Sequence, residues 1–136
     1  MAIHFIDARH KKNFENLKTA YHVNMEDKER VLLMFVLAGD EECFNHIEDI
    51  IEDEGRATIR SESAMHHSWV TQSNKSMIRL AFHLYHWGTP STYSLTESQD
   101  IQDEMINYTL YRLFYHLDER KRDVAFEAIR MFVYGY

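Results

Sequence analysis

The sequence has little of what would staple, break or anchor a chain. A single cysteine, Cys43, in 136 residues leaves no internal disulfide and suits a reducing compartment. One proline and four glycines are too few for a β sandwich with its many turns, and they favour long helices with short connections. No apolar run approaches the ~18 residues of a membrane span. The opening, MAIHFIDARHKK, lacks the apolar core of a secretion signal. The expected setting is the cytoplasm. Positive charge is also scarce. With a net charge of −7, bulk electrostatics disfavour a phosphate backbone, whereas a basic protein is steered towards the chain. Several catalytic signatures are missing: a glycine-rich phosphate loop, H-E-x-x-H, paired E-x-x-H and G-x-S-x-G.

What is present supports a packed core. Apolar residues make up 45% and aromatic residues 13%, which excludes disorder. A chain of this length buries roughly two thirds of its unfolded surface in one domain. Residues 73–88, SNKSMIRLAFHLYHWG, read as one helix, with Ser73 or Asn74 as cap and Gly88 with Pro90 as stop. Its apolar residues sweep more than half the circumference and leave Lys75, Arg79, His83 and His86 as a polar strip. A helix this apolar must be enclosed by others. Residues 31–38, VLLMFVLA, are a second candidate for burial. A buried strand is the alternative there, but Leu and Met content, the acidic turn before it and Gly39 after it favour a helix.

The other elements follow from caps and periodicity. Asp7 caps a helix over 8–21 that aligns Phe14, Leu17 and Tyr21. Asp40 caps a helix over 41–52, with Cys43, Phe44, Ile47, Ile50 and Ile51 as its apolar arc and Gly55 as its end. A capping box at Ser94 or Thr96 opens a helix that runs to about Leu117. Asp118 caps a last helix, with Val124, Ala125, Ala128, Ile129 and Phe132 inward. Residues 56–72 lack a helical period. They offer a short strand at 57–60 and Trp69 as an anchor. A connection of 17 residues is long for a compact domain, and such loops are commonly functional or mobile. The predicted fold is all-α: a single compact domain over residues 1–136, with five to six helices, two buried central helices and one long loop.

Histidine stands out, with nine in the chain. Cys43 and His46 are three apart on a predicted helix, so a thiolate and an imidazole can share one Zn²⁺, with His66 and His67 of the long loop completing the set. A small core cysteine with His46 at the edge of the apolar arc is the plainer and weightier reading. His83 and His86 beside Arg79 suit a metal, an anion or an acidic partner. Against that stands a solvated strip, with Arg79 paired to a carboxylate of a neighbouring helix. Residues 40–54 hold eight carboxylates and no Lys or Arg. Such a run can imitate a phosphate backbone and occupy the basic groove of another protein; a solvated helix face is the plainer reading. Glu42, His46, Asp49 and Asp53 share one side of that helix, which also permits a surface metal. Tyr108, Tyr111 and Tyr115 read as core and partner-facing surface rather than a cofactor box. The basic pairs and triplets at 11–12 and 120–122 are too short for nucleic-acid patches.

Three stretches carry a resemblance. The opening Phe5-Ile6-Asp7-Ala8-Arg9-His10-Lys11-Lys12-Asn13-Phe14 is one. Phe35-Val36-Leu37-Ala38-Gly39-Asp40 is another. The third is Trp69-Val70-Thr71-Gln72-Ser73, leading to Arg79-Leu80-Ala81-Phe82-His83-Leu84-Tyr85. Together they resemble a small uncharacterised family of Firmicute and phage proteins, a domain of unknown function. The likeness reaches in pieces from Phe5 to Tyr85. It implies a compact helical fold and a mobile-element setting, with His10 and residues 69–79 as the positions to watch. It implies no activity.

Three functions fit these features. The first is a non-catalytic interaction protein that contacts no nucleic acid or membrane itself. It would dock Glu41, Glu48, Asp49, Glu52, Asp53, Arg79, His83 and His86 on a basic, nucleic-acid-handling host protein such as a defence effector. The second is a protein with structural zinc on Cys43, His46, His66 and His67. The third is a small enzyme using His10 or His83 as acid or base.

Overall fold

A computed structural model of the chain describes residues 3–53, 57–60, 63–86 and 104–136, with the side chains of residues 53, 57, 58 and 86 excepted. The fold is mostly helical. Its order is α1 (Ala8–Ala20), α2 (Lys28–Ala38), α3 (Glu41–Asn45), a 3-10 turn (Ile47–Asp49), β1 (Ile51–Asp53), β2 (Ala57–Ile59), α4 (Gln72–His86), α5 (Leu110–Tyr115) and α6 (Glu119–Tyr134). The two strands form an antiparallel hairpin with Ile51 opposite Ile59 and Asp53 opposite Ala57.

The apolar run 31–38 is helical, and every one of its residues is buried. A helix closes its own backbone hydrogen bonds, so it can be surrounded by side chains without a neighbouring strand. Asp27 starts α2 by accepting from the Arg30 N–H, and Gly39 ends it. α2 packs most extensively on α4 and also on α1, α3 and α6. Met77, Ile78, Ala81 and Phe82 of α4 are fully buried. Gly39 is required for a close approach: a Cβ there would lie 2.5 Å from Val124 Cγ1 of α6.

The caps expected at Asp7, Asp40 and Asp118 form, each side chain accepting backbone N–H groups of the following turn. Other expectations are corrected. The acidic segment is not one helix over 41–52. It is a single turn of α-helix, a 3-10 turn and a strand. The like-charged pairs Glu48/Glu52 and Asp49/Asp53 oppose each other at helical i,i+4 spacing, and the β-branched Ile51 suits the extended backbone it adopts in β1. Arg60 then donates its backbone N–H to the Ile50 carbonyl at 2.8 Å, which secures the hairpin. The strand expected at 57–60 is therefore present, and it has a partner. The helix expected to run through to Leu117 is interrupted at 107–109. Thr109 is extended there; its hydroxyl donates to the Ile106 carbonyl at 2.8 Å, and the same oxygen accepts from the Arg112 N–H to open α5. The proposed stops at Gly55, Gly88 and Pro90, the caps at Ser94 and Thr96, and the side chains of Asp53 and His86 lie outside the described residues.

Candidate functional site

The capping residues converge. Asp40, buried at the α2–α3 junction, accepts from the N–H groups of Glu42 and Cys43 at 3.1 and 3.2 Å. Both of its oxygens also accept from Asn74 Nδ2, at 3.1 and 2.8 Å. Asn74 turns its other amide atom back to its own helix start. Its Oδ1 accepts from the Thr71 N–H and hydroxyl, and Thr71 Oγ1 accepts from the Asn74 N–H. Thr71, not Ser73 or Asn74, therefore caps α4, and Asn74 closes a reciprocal capping box. Lys121 of α6 lies 3.7 Å from Asp40 and donates to Ser73 Oγ at 2.7 Å. Arg120 donates to the Gly39 carbonyl at 2.7 Å and to both oxygens of Asp7. Its guanidinium and the His10 N–H hold the Asp7 carboxyl below the usual range. Asn13 donates to the Ala38 carbonyl and to Glu41. The starts of α1, α3, α4 and α6 thus share one polar junction.

His10 belongs to this structure and not to a reactive pocket. It is fully buried. Its Nδ1 accepts from the Ile6 N–H at 3.3 Å, so Nε2 carries the hydrogen and donates to the Phe35 carbonyl at 2.9 Å. Burial, the largest influence, pushes its pKa below the ordinary value. Both nitrogens are occupied in holding the N-terminal segment to α2. Ser73 accepts from Lys121, whose Nζ also lies beside Asp40.

The four residues considered for zinc are placed apart in role. Cys43 is fully buried, and burial, with Asp40 beside it, raises its thiol pKa well above the ordinary value. A zinc ligand must be the thiolate, so this environment works against it. His46 stacks on Trp69 with ring centroids 4.5 Å apart. His66 is exposed, and His67 Nδ1 lies 3.8 Å from Asp49. Among the described residues, no group of three or more His, Cys, Asp or Glu is placed to hold a metal ion.

Of the residues expected to meet a partner, Glu41 pairs with Arg9 and accepts from Asn13. Asp49 accepts from Trp69 Nε1 at 2.9 Å, which anchors the long connection as the sequence suggests. Glu52 lies 4.0 Å from Arg60. Glu48 is exposed. It borders a cleft of about 540 Å³ between α1, the 3-10 turn and the hairpin, whose apolar walls are Leu17, Phe44, Ile47 and Ile51. Arg60 lies at the rim, its Nε donating to the Glu48 carbonyl at 2.9 Å. On α4, Arg79 is turned inward: its side chain is only 12% exposed and pairs with Glu104 at 2.8 Å. That is the carboxylate pairing set against its surface role. His83 is half-buried, with its ring 6.0 Å from Tyr108.

Sequence reasoning set Arg120 and Lys121 aside, yet they hold the junction together. One signal was available. Cations in the first turn of a helix oppose the macrodipole, so a basic triplet just after the Asp118 cap implies specific acidic partners. A second feature was only half read. The large apolar side chains left exposed among the described residues all lie between 105 and 134, and they include Leu110, Tyr111, Tyr115 and Phe126.

These features define a class: a small, mostly helical protein with a buried polar junction, a mixed cleft and an exposed aromatic face. The family model described as "Family of unknown function (DUF6075)" matches residues 1–135, so the chain belongs to that family. No curated protein and no solved structure matches. The three stretches that carry the resemblance meet in space. His10 of the first bonds Phe35 of the second, and Asp40 of the second bonds Asn74, between the two parts of the third. No described helix is long and apolar enough to cross a membrane.

Proposed function

We propose that the protein is a non-catalytic interaction protein that takes a basic protein partner in the cleft beside its 3-10 turn. The cleft carries the proposal. Its apolar walls, Leu17, Phe44, Ile47 and Ile51, adjoin the acidic segment that holds Glu48, Asp49 and Glu52. Its volume is that of an ordinary ligand pocket. A partner segment with an apolar side chain flanked by Lys or Arg meets both features. The net charge of −7 steers such a partner in from a distance. In the mobile-element setting implied by the resemblance, and the cytoplasm expected from the sequence, the partner is a host protein that handles nucleic acid. The acidic segment would stand in for phosphate and inhibit it. The occupation of both His10 nitrogens favours binding over catalysis.

The test is capture from host lysate at rising salt, with the wild type and with Glu48→Lys/Glu52→Lys. The reading expects a basic protein whose capture weakens with salt and is lost on charge reversal. A complex that withstands the reversal contradicts it.

A further inference from the structure

We infer that the protein pairs with a second copy of itself through the aromatic face of α5 and α6. Leu110, Tyr111 and Tyr115 of α5 are 71%, 68% and 59% exposed, and Phe126 of α6 is 59% exposed. With the half-buried Phe114 and Arg122 they line one cleft of about 560 Å³. The rings are already ordered by one another. Tyr111 and Tyr115 lie 5.4 Å apart, and Phe114 stacks on Phe126 at 5.1 Å. Rigid aromatics of this kind lose little conformational freedom on association and dominate interface energetics.

Area and charge select the occupant. An aromatic side chain buries about 150–250 Å², so the exposed parts of these side chains together present on the order of 500 Å² of apolar surface. A standard interface takes about 800 Å² from each partner, of which about 65% is apolar in homodimers. One copy therefore offers about the apolar area that one side of a stable dimer requires, at the upper end of the roughly 300–600 Å² of the largest patch on a typical monomer. The cleft lining holds one charged residue, Arg122, and no carboxylate. The basic partner proposed for the acidic cleft finds no complementary charge here. A two-fold pairing places the aromatic part of this surface against its own copy, an apolar contact that needs no complement of opposite sign, with Arg122 at its margin as the one charge of the lining.

The experiment is sedimentation equilibrium of the full chain over a range of protein concentrations, at low and high salt. A reversible dimer that persists at high salt is expected, because apolar contacts are not screened. Tyr111→Ser/Phe126→Ser should restore the monomer mass while far-ultraviolet circular dichroism stays unchanged. Should that variant fail to fold, Tyr115→Lys serves in its place, since it sets two like charges into the interface from an exposed position. A monomer at every concentration overturns the inference, and so does a dimer that survives these substitutions. Neither result bears on capture through Glu48 and Glu52, so the two readings fail separately.

Discussion

The junction around Asp40 and the face of α5–α6 handle their side chains in opposite ways. At the junction, Asp40 and Asn74 are buried and each is matched. Asp40 meets two backbone N–H groups, Asn74 and Lys121, and Asn74 uses both ends of its amide. On the face, apolar groups are exposed; Leu110 and Tyr111 are each about two thirds exposed or more. A matched buried network fixes how α1, α3, α4 and α6 meet, and it offers nothing to a partner. Exposed aromatics add little to the fold of one chain and much to an association. Substitutions should therefore separate the two regions: the junction should govern stability, and the face should govern assembly.

The largest stability loss is expected at Asp40. Asp40→Ala removes the α3 cap and leaves Asn74 and Lys121 without their buried partner, a loss of about 3–5 kcal/mol that equilibrium denaturation in urea would measure. Gly39→Ala comes next. Its Cβ would lie 2.5 Å from Val124, so overpacking should cost about 1–3 kcal/mol. Combining it with Val124→Ala should recover part of that cost, and the coupling would locate the clash. Asp7→Ala should cost about 0.5–2 kcal/mol through the α1 cap. Its ion pair with Arg120 is largely exposed and should add little.

Acid should act through the same junction. The Asp7 and Glu41 carboxyls have pKa values lowered in the fold, Asp7 chiefly by Arg120 and Glu41 chiefly by Arg9. Their stabilisation is present above the ordinary carboxylate range and is lost as pH falls through the lower folded values. His10 acts at milder pH. Its folded pKa lies below the ordinary 6.5, so the unfolded chain takes up the proton first. Stability should be full above that value and decline as pH falls below it. His10→Gln should flatten that decline in a series of urea titrations. The smallest effect belongs to the face. Tyr111→Ser should change the stability of the dilute monomer by no more than about 0.5 kcal/mol, as surface substitutions do.

Local chemistry made much of the fold legible. Asp7, Asp40 and Asp118 were readable as caps because a short carboxylate before an apolar-periodic run has one efficient use. The run 31–38 was readable as a helix from its flanks. The acidic segment was misread because its apolar arc has helical spacing, whereas like-charge repulsion and β-branching in the same residues favour a turn and a hairpin. The pairing of β1 with β2 depends on contacts that no local pattern encodes. The site was harder to read. Arg79 reads from the sequence both as part of a surface strip and as the partner of a carboxylate on a neighbouring helix; the second reading holds, but no local pattern names Glu104, 25 residues away, as that carboxylate. Tyr108, Tyr111 and Tyr115 read as core and partner-facing surface; Tyr111 and Tyr115 are exposed and not core, and Phe126, on another helix, completes their face only in three dimensions.

The most direct test of the division between junction and face is the thermal unfolding midpoint measured as a function of protein concentration. Association of folded chains makes that midpoint depend on concentration. For the wild type it should rise with concentration, and for Tyr111→Ser/Phe126→Ser it should not. For Asp40→Asn it should be lower throughout and still rise. A wild-type midpoint that ignores concentration, or an Asp40→Asn midpoint that no longer responds to it while the chain remains folded, would contradict the account.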